Sequence, residues 1–193
     1  KDGQRFTART YLSNVDPRAT DGLLRGARLY GADRERLRYD YSSGTLTLYM
    51  GLSGVDLRDH GFGSHNVWHY PHPDLNRIYD EQRSSADLSD PWLFLSTPTL
   101  HSDAPGLCPR GHQILVAATS TDFAAWAALR ASDRRAYNKK KKRAVDVMLD
   151  TIARHYVPNL RSHLTLRVAG TPATNARFCR APFGNAYGAA LTP

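Results

Sequence analysis

The stretch Gln113-Ile-Leu-Val-Ala-Ala-Thr119 is a near-continuous apolar run, and it decides the predicted fold. A run of this length is typical of a strand buried within a sheet. Residues 91–98 form a second such run, and the link between the two is rich in Pro and Gly, which predicts a loop. Helices are predicted over about 122–130 and 133–156, the second with an apolar stripe at helical spacing. Because strands and helices follow one another in mixed order along the chain, the sequence predicts an α+β fold, with a mixed or antiparallel sheet and flanking helices.

Weaker patterns predict the remaining elements. Further strands are predicted over 5–12, as a pair within 36–52 that turns at Ser43-Gly44, over 66–70 and over 164–168. Further helices are predicted over about 17–25 and 73–83. Asp16 is expected to cap the first of these helices and Gly26 to end it. The tail from Gly170 onward is rich in Gly, Pro and Asn, and predicts no regular element.

The composition excludes several classes of protein. Hydrophobic residues make up 41% and charged residues 23% of the 193 residues, as in globular proteins. The longest apolar run, Phe123 to Leu129, has seven residues, whereas a membrane-spanning helix needs about 20. Cys108 and Cys179 form no C-x-x-C pair, and predict free thiols in a reducing compartment. The sequence therefore predicts a cytoplasmic protein whose contact with membranes, if any, is peripheral.

The basic charge is concentrated in one segment. Residues 130–143 contain eight basic residues and one aspartate, so they contribute +7 of the net charge of +8. The run Lys139, Lys140, Lys141 and Lys142 lies within the predicted long helix, where it is either a solvated face or a contact for acidic membranes or nucleic acid. Only Tyr137 lies nearby as a stacking aromatic, so no nucleic acid is expected.

Common catalytic and nucleotide-binding motifs are absent from the sequence. The predicted strand–turn–helix at residues 5–25 has no glycine in its turn, Ser13 to Pro17, so it lacks the Gly-x-Gly-x-x-Gly that dinucleotides require. No phosphate-binding loop and no Gly-x-Ser-x-Gly motif are present, and no catalytic residue is identified. A cluster of histidines, His60, His65, His69 and His72, either lines a cavity or binds zinc. Its spacing is not that of a firm ligand set, so no metal is predicted.

Five segments together resemble the phytoene desaturase and carotenoid isomerase branch of the flavin-dependent amine-oxidase superfamily. They are Leu12-Ser-Asn-Val-Asp-Pro-Arg-Ala-Thr20, Leu46-Thr-Leu-Tyr-Met-Gly-Leu52, Pro109-Arg-Gly-His-Gln-Ile-Leu115, the helix from Tyr137 to Arg161, and Thr171-Pro-Ala-Thr-Asn through Gly184-Asn-Ala-Tyr-Gly188. They follow the family's order and cover nearly the whole chain.

The resemblance implies the middle, mainly substrate-binding, part of a longer FAD-dependent enzyme. It implies that residues 1–30 are an edge of the FAD-binding domain, 31–170 the substrate-binding domain and 171–193 a return segment toward the flavin. The residues it places on the flavin side are Ser13, Asn14, Asp16, Pro17, Gly184, Tyr187 and Gly188. The residues expected to line a tunnel for a long apolar polyene are Leu48, Met50, Trp68, His69, Tyr70, Trp92 and Phe94.

The resemblance also implies limits and partners. FAD is expected in the intact enzyme, but this segment alone is expected to hold it weakly or not at all, because the pyrophosphate-binding motif is missing. The expected partners are the polyene, the remainder of the FAD-binding domain and an anionic membrane surface at the lysine run. Two alternatives remain open: a stand-alone basic module that binds nucleic acid or acidic membrane, and a zinc hydrolase built on the histidines.

Overall fold

The computed structural model describes residues 3–24, 35–84 and 88–190, which are built around a five-stranded antiparallel sheet. The strands are β1 (Gly44–Ser53), β2 (Val67–His69), β3 (Leu93–Ser96), β4 (His112–Thr121) and β5 (Leu164–Gly170). They lie side by side in the order β2-β3-β4-β1-β5. The two longest strands, β1 and β4, pair along their whole length. The predicted α+β class is confirmed.

Helices flank this sheet. They are α1 (Pro17–Leu23), α2 (Leu75–Ser84), α3 (Pro98–His101), α4 (Phe123–Ser132), α5 (Arg134–His155), α6 (Leu160–His163) and α7 (Pro172–Phe178). Two short 3-10 helices cover Leu57–His60 and Pro182–Gly184. Asp16 caps α1 as predicted, because its carboxylate accepts from the backbone N–H groups of Arg18 and Ala19. The expected helix end at Gly26 and the expected boundary at residues 30 and 31 lie outside the described residues.

One face of the sheet packs against α5 to form the core. Alternate strand residues point to this covered face, as the two-residue period of a strand requires. Those that are fully or almost fully buried there are Leu46, Leu48, Met50, Leu52, Leu93, Leu95, Leu115 and Ala117. From α5, Val145, Met148, Leu149 and Ile152 complete the same hydrophobic cluster. This cluster supplies most of the apolar burial that stabilises the fold.

A buried amide fastens α2 to the sheet. The side-chain Nε2 of Gln82 donates to Thr119 Oγ1 at 2.5 Å and to the carbonyl of Ser120 at 3.2 Å. Its Oε1 accepts from the backbone N–H of Trp92 at 2.6 Å, and Thr119 Oγ1 donates to the Trp92 carbonyl. Every polar atom of this buried amide is therefore engaged, which a buried polar group requires.

Two predicted strands are not formed. Residues 5–12 have no strand partner in the described part of the chain, and Phe6, Tyr11 and Leu12 are 70–98% exposed. The predicted pair within 36–52 is also wrong, because only β1 forms. Strands β4 and β5, which are distant in sequence, occupy the two edges of β1 and leave no place for a local hairpin partner.

The tail contains structure that the sequence pattern did not predict. Thr171 and Thr174 form a reciprocal capping box at the start of α7, and Pro172 occupies its first turn. Beyond it, Tyr41 bridges Ala189 and Gly44 bridges Asn185 in antiparallel sense. The return segment is therefore docked beside the residues that lead into β1.

Candidate functional site

The second face of the sheet is mostly apolar, and among the described residues no helix packs over its centre. Residues that pair directly across neighbouring strands share a face, which places Trp68 with Phe94 and Ala118, and Tyr49 with Val116 and Val168. We call its apolar residues the uncovered face, and they are Tyr49, Trp68, Phe94, Ile114, Val116, Ala118, Leu166 and Val168. Thr47, Ser96 and His112 lie on the same side of the sheet.

The large side chains of the uncovered face are about half exposed. The exposed fraction is 49% for Tyr49, 48% for Trp68, 59% for Leu166 and 52% for Val168. Five strands spaced about 4.8 Å apart give this face a width of about 19 Å. A contiguous exposed apolar patch of this kind marks an interaction or ligand surface rather than ordinary solvent-facing sheet.

An aromatic cluster forms one end of the uncovered face. The Trp68 ring lies 5.0 Å from Phe94, 5.6 Å from Trp92 and 6.2 Å from Tyr70, measured between ring centroids. Tyr79 of α2 extends the cluster, 5.1 Å from Trp92. Burial, together with a hydrogen bond to Tyr70, raises the pKa of Tyr79 to about 12. The four aromatic residues expected in the tunnel are therefore brought together.

The other three residues expected in the tunnel lie on the opposite side of the sheet. Leu48 and Met50 are 0% and 1% exposed and belong to the core against α5. His69 points to the same side, where its Nδ1 lies 3.1 Å from the Tyr156 hydroxyl and its ring lies 4.7 Å from His155. Burial, and to a lesser extent the charge of His155, lowers the pKa of His69. The structure thus divides the expected tunnel residues between two faces.

Sequence reasoning missed most of the uncovered face. It singled out Trp68 and Phe94, but not Tyr49, Leu166 or Val168. The sequence nevertheless contained a signal for the uncovered face. Apolar residues follow one another in β4 without alternating with polar ones, so both sides of this strand are apolar.

Two segments that contain residues expected on the flavin side, α1 with its cap and the return segment, contact residues 37–44 at one end of the sheet. Arg18 of α1 donates through Nε to the carbonyl of Leu37 at 2.7 Å and through its guanidinium to the carbonyl of Tyr39. The same guanidinium lies over the Tyr39 and Tyr41 rings, 4.4 and 4.9 Å from their centroids. Partial burial, followed by a hydrogen bond to Asp16, raises the pKa of Tyr41 to about 12. The N-terminal segment is thereby fixed to the residues that precede β1.

The return segment reaches the same place from the other end of the chain. The N–H of Ser42 donates to the Gly188 carbonyl at 2.9 Å, and the N–H of Tyr187 donates to Ser42 Oγ at 3.1 Å. Gly184 has φ of +60°, and a Cβ there would lie 2.2 Å from the carbonyl oxygen of Pro172, so glycine is required. Gly188, with φ of +77°, faces open space.

A cleft of about 550 Å³ opens beside these segments. Its walls include Tyr41, Phe123 and Phe183, with the Phe183 ring 5.6 Å from Tyr41 and 5.9 Å from Phe123. Phe183 adopts a left-handed backbone conformation, with φ of +54°, which costs an ordinary residue about 1 kcal/mol or more. The cleft therefore presents flat aromatic surface at the end of the sheet where the flavin-side residues lie.

None of the seven residues expected on the flavin side is among the residues that line this cleft. The start of α1 also does not fit the pyrophosphate of a flavin. A pyrophosphate needs free backbone N–H groups at a helix N-terminus. In α1, Pro17 has no N–H, and the N–H groups of Arg18 and Ala19 are already bonded to the Asp16 carboxylate. That negative charge also repels a phosphate.

The histidines do not form one cluster. His60 Nδ1 lies 3.1 Å from the carbonyl of Tyr156, whereas the carbonyl of His65 lies 3.2 Å from His101 Nε2. His72 Nδ1 accepts from the backbone N–H of Asp74. Within residues 3–24, 35–84 and 88–190, no three His, Cys, Asp or Glu side chains are grouped as metal ligands.

Comparisons with known proteins identify similar chains. Over 180 residues the chain is 25% identical to "Prolycopene isomerase 2, chloroplastic" of an Oncidium hybrid cultivar, covering 92% of this chain and 28% of the relative. It is 26% identical to "Prolycopene isomerase, chloroplastic" of Arabidopsis thaliana, over 92% of this chain and 27% of that protein. It is 24% identical to "All-trans-retinol 13,14-reductase" of Danio rerio, over 75% of this chain and 25% of that protein.

These findings confirm the resemblance to carotenoid isomerases that the five motifs indicated. The chain spans just over a quarter of the length of the two prolycopene isomerases. No protein-family model matches it. Among the helices in the described part of the chain, none has the length and apolar character needed to cross a bilayer.

Proposed function

We propose that this chain is the substrate-binding section of a FAD-dependent oxidoreductase or isomerase that acts on a long apolar polyene. The observation that carries the proposal is the uncovered face, an apolar surface about 19 Å wide on a sheet whose other face is already filled. The relatives support it, since prolycopene and retinol, the compounds in their names, are both conjugated polyenes.

The uncovered face suits a polyene in both shape and chemistry. A conjugated chain is flat and apolar, and it gains free energy by leaving water for an apolar surface. Covering the exposed half of Tyr49, Trp68, Leu166 and Val168 contributes about 1 kcal/mol each. The aromatic cluster around Trp68 adds a rigid surface for offset stacking.

The residues of this face orient the substrate and exclude water rather than transfer protons. On this side of the described strands, the titratable side chains are Tyr49 and, at the end of β4, His112, whose Nδ1 lies 3.2 Å from the carbonyl of Arg110. General acid–base catalysis needs a positioned titratable group, so the face itself offers little of it. The redox chemistry would be supplied by the flavin when it is bound.

We further propose how the chain meets the flavin and its surroundings. Residues 1–30 are assigned to the edge of the FAD-binding domain, 31–170 to the substrate-binding domain and 171–193 to a return segment toward the FAD-binding domain. Ser13, Asn14, Asp16, Pro17, Gly184, Tyr187 and Gly188 would contact the ring end of the flavin, with the pyrophosphate held by other parts of the enzyme. A peripheral contact with an anionic membrane would bring the protein to the phase in which apolar substrates dissolve.

Binding of a polyene to an altered face tests the proposal. Leu166→Asp places a charge on the uncovered face at a position that is 59% exposed, so the fold is retained. We expect the affinity for all-trans-retinol, measured by quenching of tryptophan emission, to fall at least tenfold, because the polyene would then desolvate a carboxylate.

A matched control variant separates damage to the uncovered face from a general effect of adding a negative charge to the chain. Leu107→Asp changes the same residue type at a position that is 42% exposed and lies in the loop before β4, outside the strands. The control should bind retinol as the unaltered chain does. Equal affinities of both variants and the unaltered chain would show that the uncovered face is not the binding surface.

A further inference from the structure

The cleft of about 550 Å³ adjoins the aromatic end of the uncovered face. Tyr79 belongs to both, since its ring lies 5.1 Å from that of Trp92 and it also lines the cleft. Ser120 is a second link, because it follows Ala118 by two residues along β4 and so lies on the same side of the sheet, about 7 Å further on. A ligand that lies along the uncovered face can therefore extend into the cleft.

A pair of serine hydroxyls gives the cleft a polar lining. Ser43 Oγ and Ser120 Oγ lie 3.1 Å apart, and one of them donates to the other. Because each hydroxyl has a single hydrogen, the pair keeps one hydrogen that is not used within it. Within residues 3–24, 35–84 and 88–190, neither side-chain oxygen has another hydrogen-bond partner. Ser120 is 7% exposed, so the pair offers a mostly buried donor to whatever enters the cleft.

The charges that line the cleft are negative. Asp80 and Asp122 are among the described residues that line it, and no Lys or Arg is among them. The chain as a whole has a net charge of +8, so this cleft differs from the average of the molecule. Arg18, whose guanidinium lies 4.9 Å from the centroid of the Tyr41 ring, donates to two backbone carbonyls. The cleft thus provides acceptors for a hydroxyl and repels a carboxylate.

The cleft also has apolar walls. They are formed by Tyr41, Phe123 and Phe183, and Phe183 is 59% exposed. The volume lies within the range of about 300–1,000 Å³ that is usual for small-molecule sites, which combine apolar walls with a few polar groups. An end group that has both apolar carbons and one neutral polar atom matches this lining.

We propose that the cleft receives one end of the polyene and selects a substrate whose end group carries a hydroxyl. The inference rests on the proposed function, because the polyene reaches the cleft along the uncovered face. The hydroxyl would accept from the Ser43–Ser120 pair and donate to a carboxylate of the cleft. A hydrocarbon end makes neither hydrogen bond, and a carboxylate end meets two negative charges. The substrate class is therefore a polyene alcohol.

Three ligands that differ at one end test the inference. All-trans-retinol ends in a hydroxyl, 15-deoxyretinol in a methyl group and all-trans-retinoate in a carboxylate. Their affinities for the 193-residue chain are measured by quenching of tryptophan emission. We expect retinol to bind about fivefold more tightly than 15-deoxyretinol, as one additional hydrogen bond provides. We expect it to bind at least about tenfold more tightly than retinoate. An apolar surface alone would favour 15-deoxyretinol, and the positive net charge alone would favour retinoate.

A double variant tests the serine pair. Ser43→Ala with Ser120→Ala removes both partners of their hydrogen bond, so no polar group is left unpaired and the fold is retained. The double variant should lose most of the preference for retinol, while its affinity for 15-deoxyretinol should stay within about twofold of that of the unaltered chain.

A matched pair of variants tests the negative charge. Asp122 and Asp133 both cap a helix, since they accept from the N–H groups of Ala125 in α4 and Ala136 in α5, and asparagine serves equally well as a cap. Asp122 lines the cleft and Asp133 does not. Asp122→Asn should therefore strengthen the binding of retinoate several-fold, whereas Asp133→Asn should leave it unchanged.

Failure of the inference is distinguishable from failure of the proposed function. If 15-deoxyretinol or retinoate binds the unaltered chain as tightly as retinol does, and Leu166→Asp weakens the binding of every ligand, the cleft does not select a hydroxyl and the uncovered face still binds polyenes. Equal effects of Asp122→Asn and Asp133→Asn on retinoate would likewise overturn the inference. If Leu166→Asp weakens the binding of none of the three ligands, the inference and the proposed function fail together.

Discussion

Two leucines on opposite faces of the sheet should respond very differently to the same substitution. Leu48→Ala removes a side chain that is 0% exposed and packed in the core against α5. A cavity there should lower the free energy of unfolding by about 3–4 kcal/mol, because the rigid core closes only partly around it. Leu166→Ala removes a side chain that is 59% exposed, and should cost about 1 kcal/mol.

Urea denaturation followed by circular dichroism measures both changes, and thermal unfolding checks them. At about 2–4 °C per kcal/mol for a chain of this size, Leu48→Ala should lower the melting temperature by about 10 °C and Leu166→Ala by about 3 °C. The slope of the free energy against urea should not change in either variant. Similar costs at the two positions would refute the assignment of one covered and one uncovered face.

Three further substitutions probe the elements that hold the site together. Gly184→Ala should lower the free energy of unfolding, measured in urea, by at least about 2 kcal/mol. The reason is that φ of +60° disfavours alanine and that its Cβ would overlap the Pro172 carbonyl. An unchanged midpoint of urea unfolding would mean that the return segment is not docked there. Burial lowers the pKa of His69, so protonation favours the unfolded chain and the free energy of unfolding should fall as pH drops below about 6.5. His69→Gln should reduce that fall. If the free energy of unfolding of this variant varied with pH as that of the unaltered chain does, the burial of His69 would be contradicted. Gln82→Leu leaves the buried N–H of Trp92 without its acceptor and should cost about 2–3 kcal/mol by thermal unfolding; a cost below about 0.5 kcal/mol would show that water replaces the amide.

Local patterns in the sequence were sufficient to predict most of the fold. The stripe along α5 and the cap at Asp16 depend on residues a few positions apart, so their spacing is visible in the sequence. The apolar runs of β3 and β4 are likewise local signals. The predicted hairpin before β1 failed because its competitor, β5, lies more than 100 residues away and no short-range pattern reveals that pairing.

Predicting the candidate site would have required the register in which the strands pair, and a single sequence does not reveal that register. Leu48 and Tyr49 are adjacent, yet one lies in the core and the other on the uncovered face, and only the pairing of β1 with β4 decides which. Trp68 and Phe94 were found because large aromatic residues stand out. Leu166 and Val168 were missed because an exposed aliphatic residue on an edge strand resembles a buried one in sequence.

Photolabelling with a polyene tests the central claim most directly. A retinol analogue that carries a diazirine is bound to the chain, irradiated and located by mass spectrometry of the labelled peptides. We expect label on peptides that contain Tyr49, Trp68 or Val168. Unlabelled retinol should compete this label away, and Leu166→Asp should abolish it. Specific label confined to α5 or to the loops would contradict a polyene surface on the uncovered face.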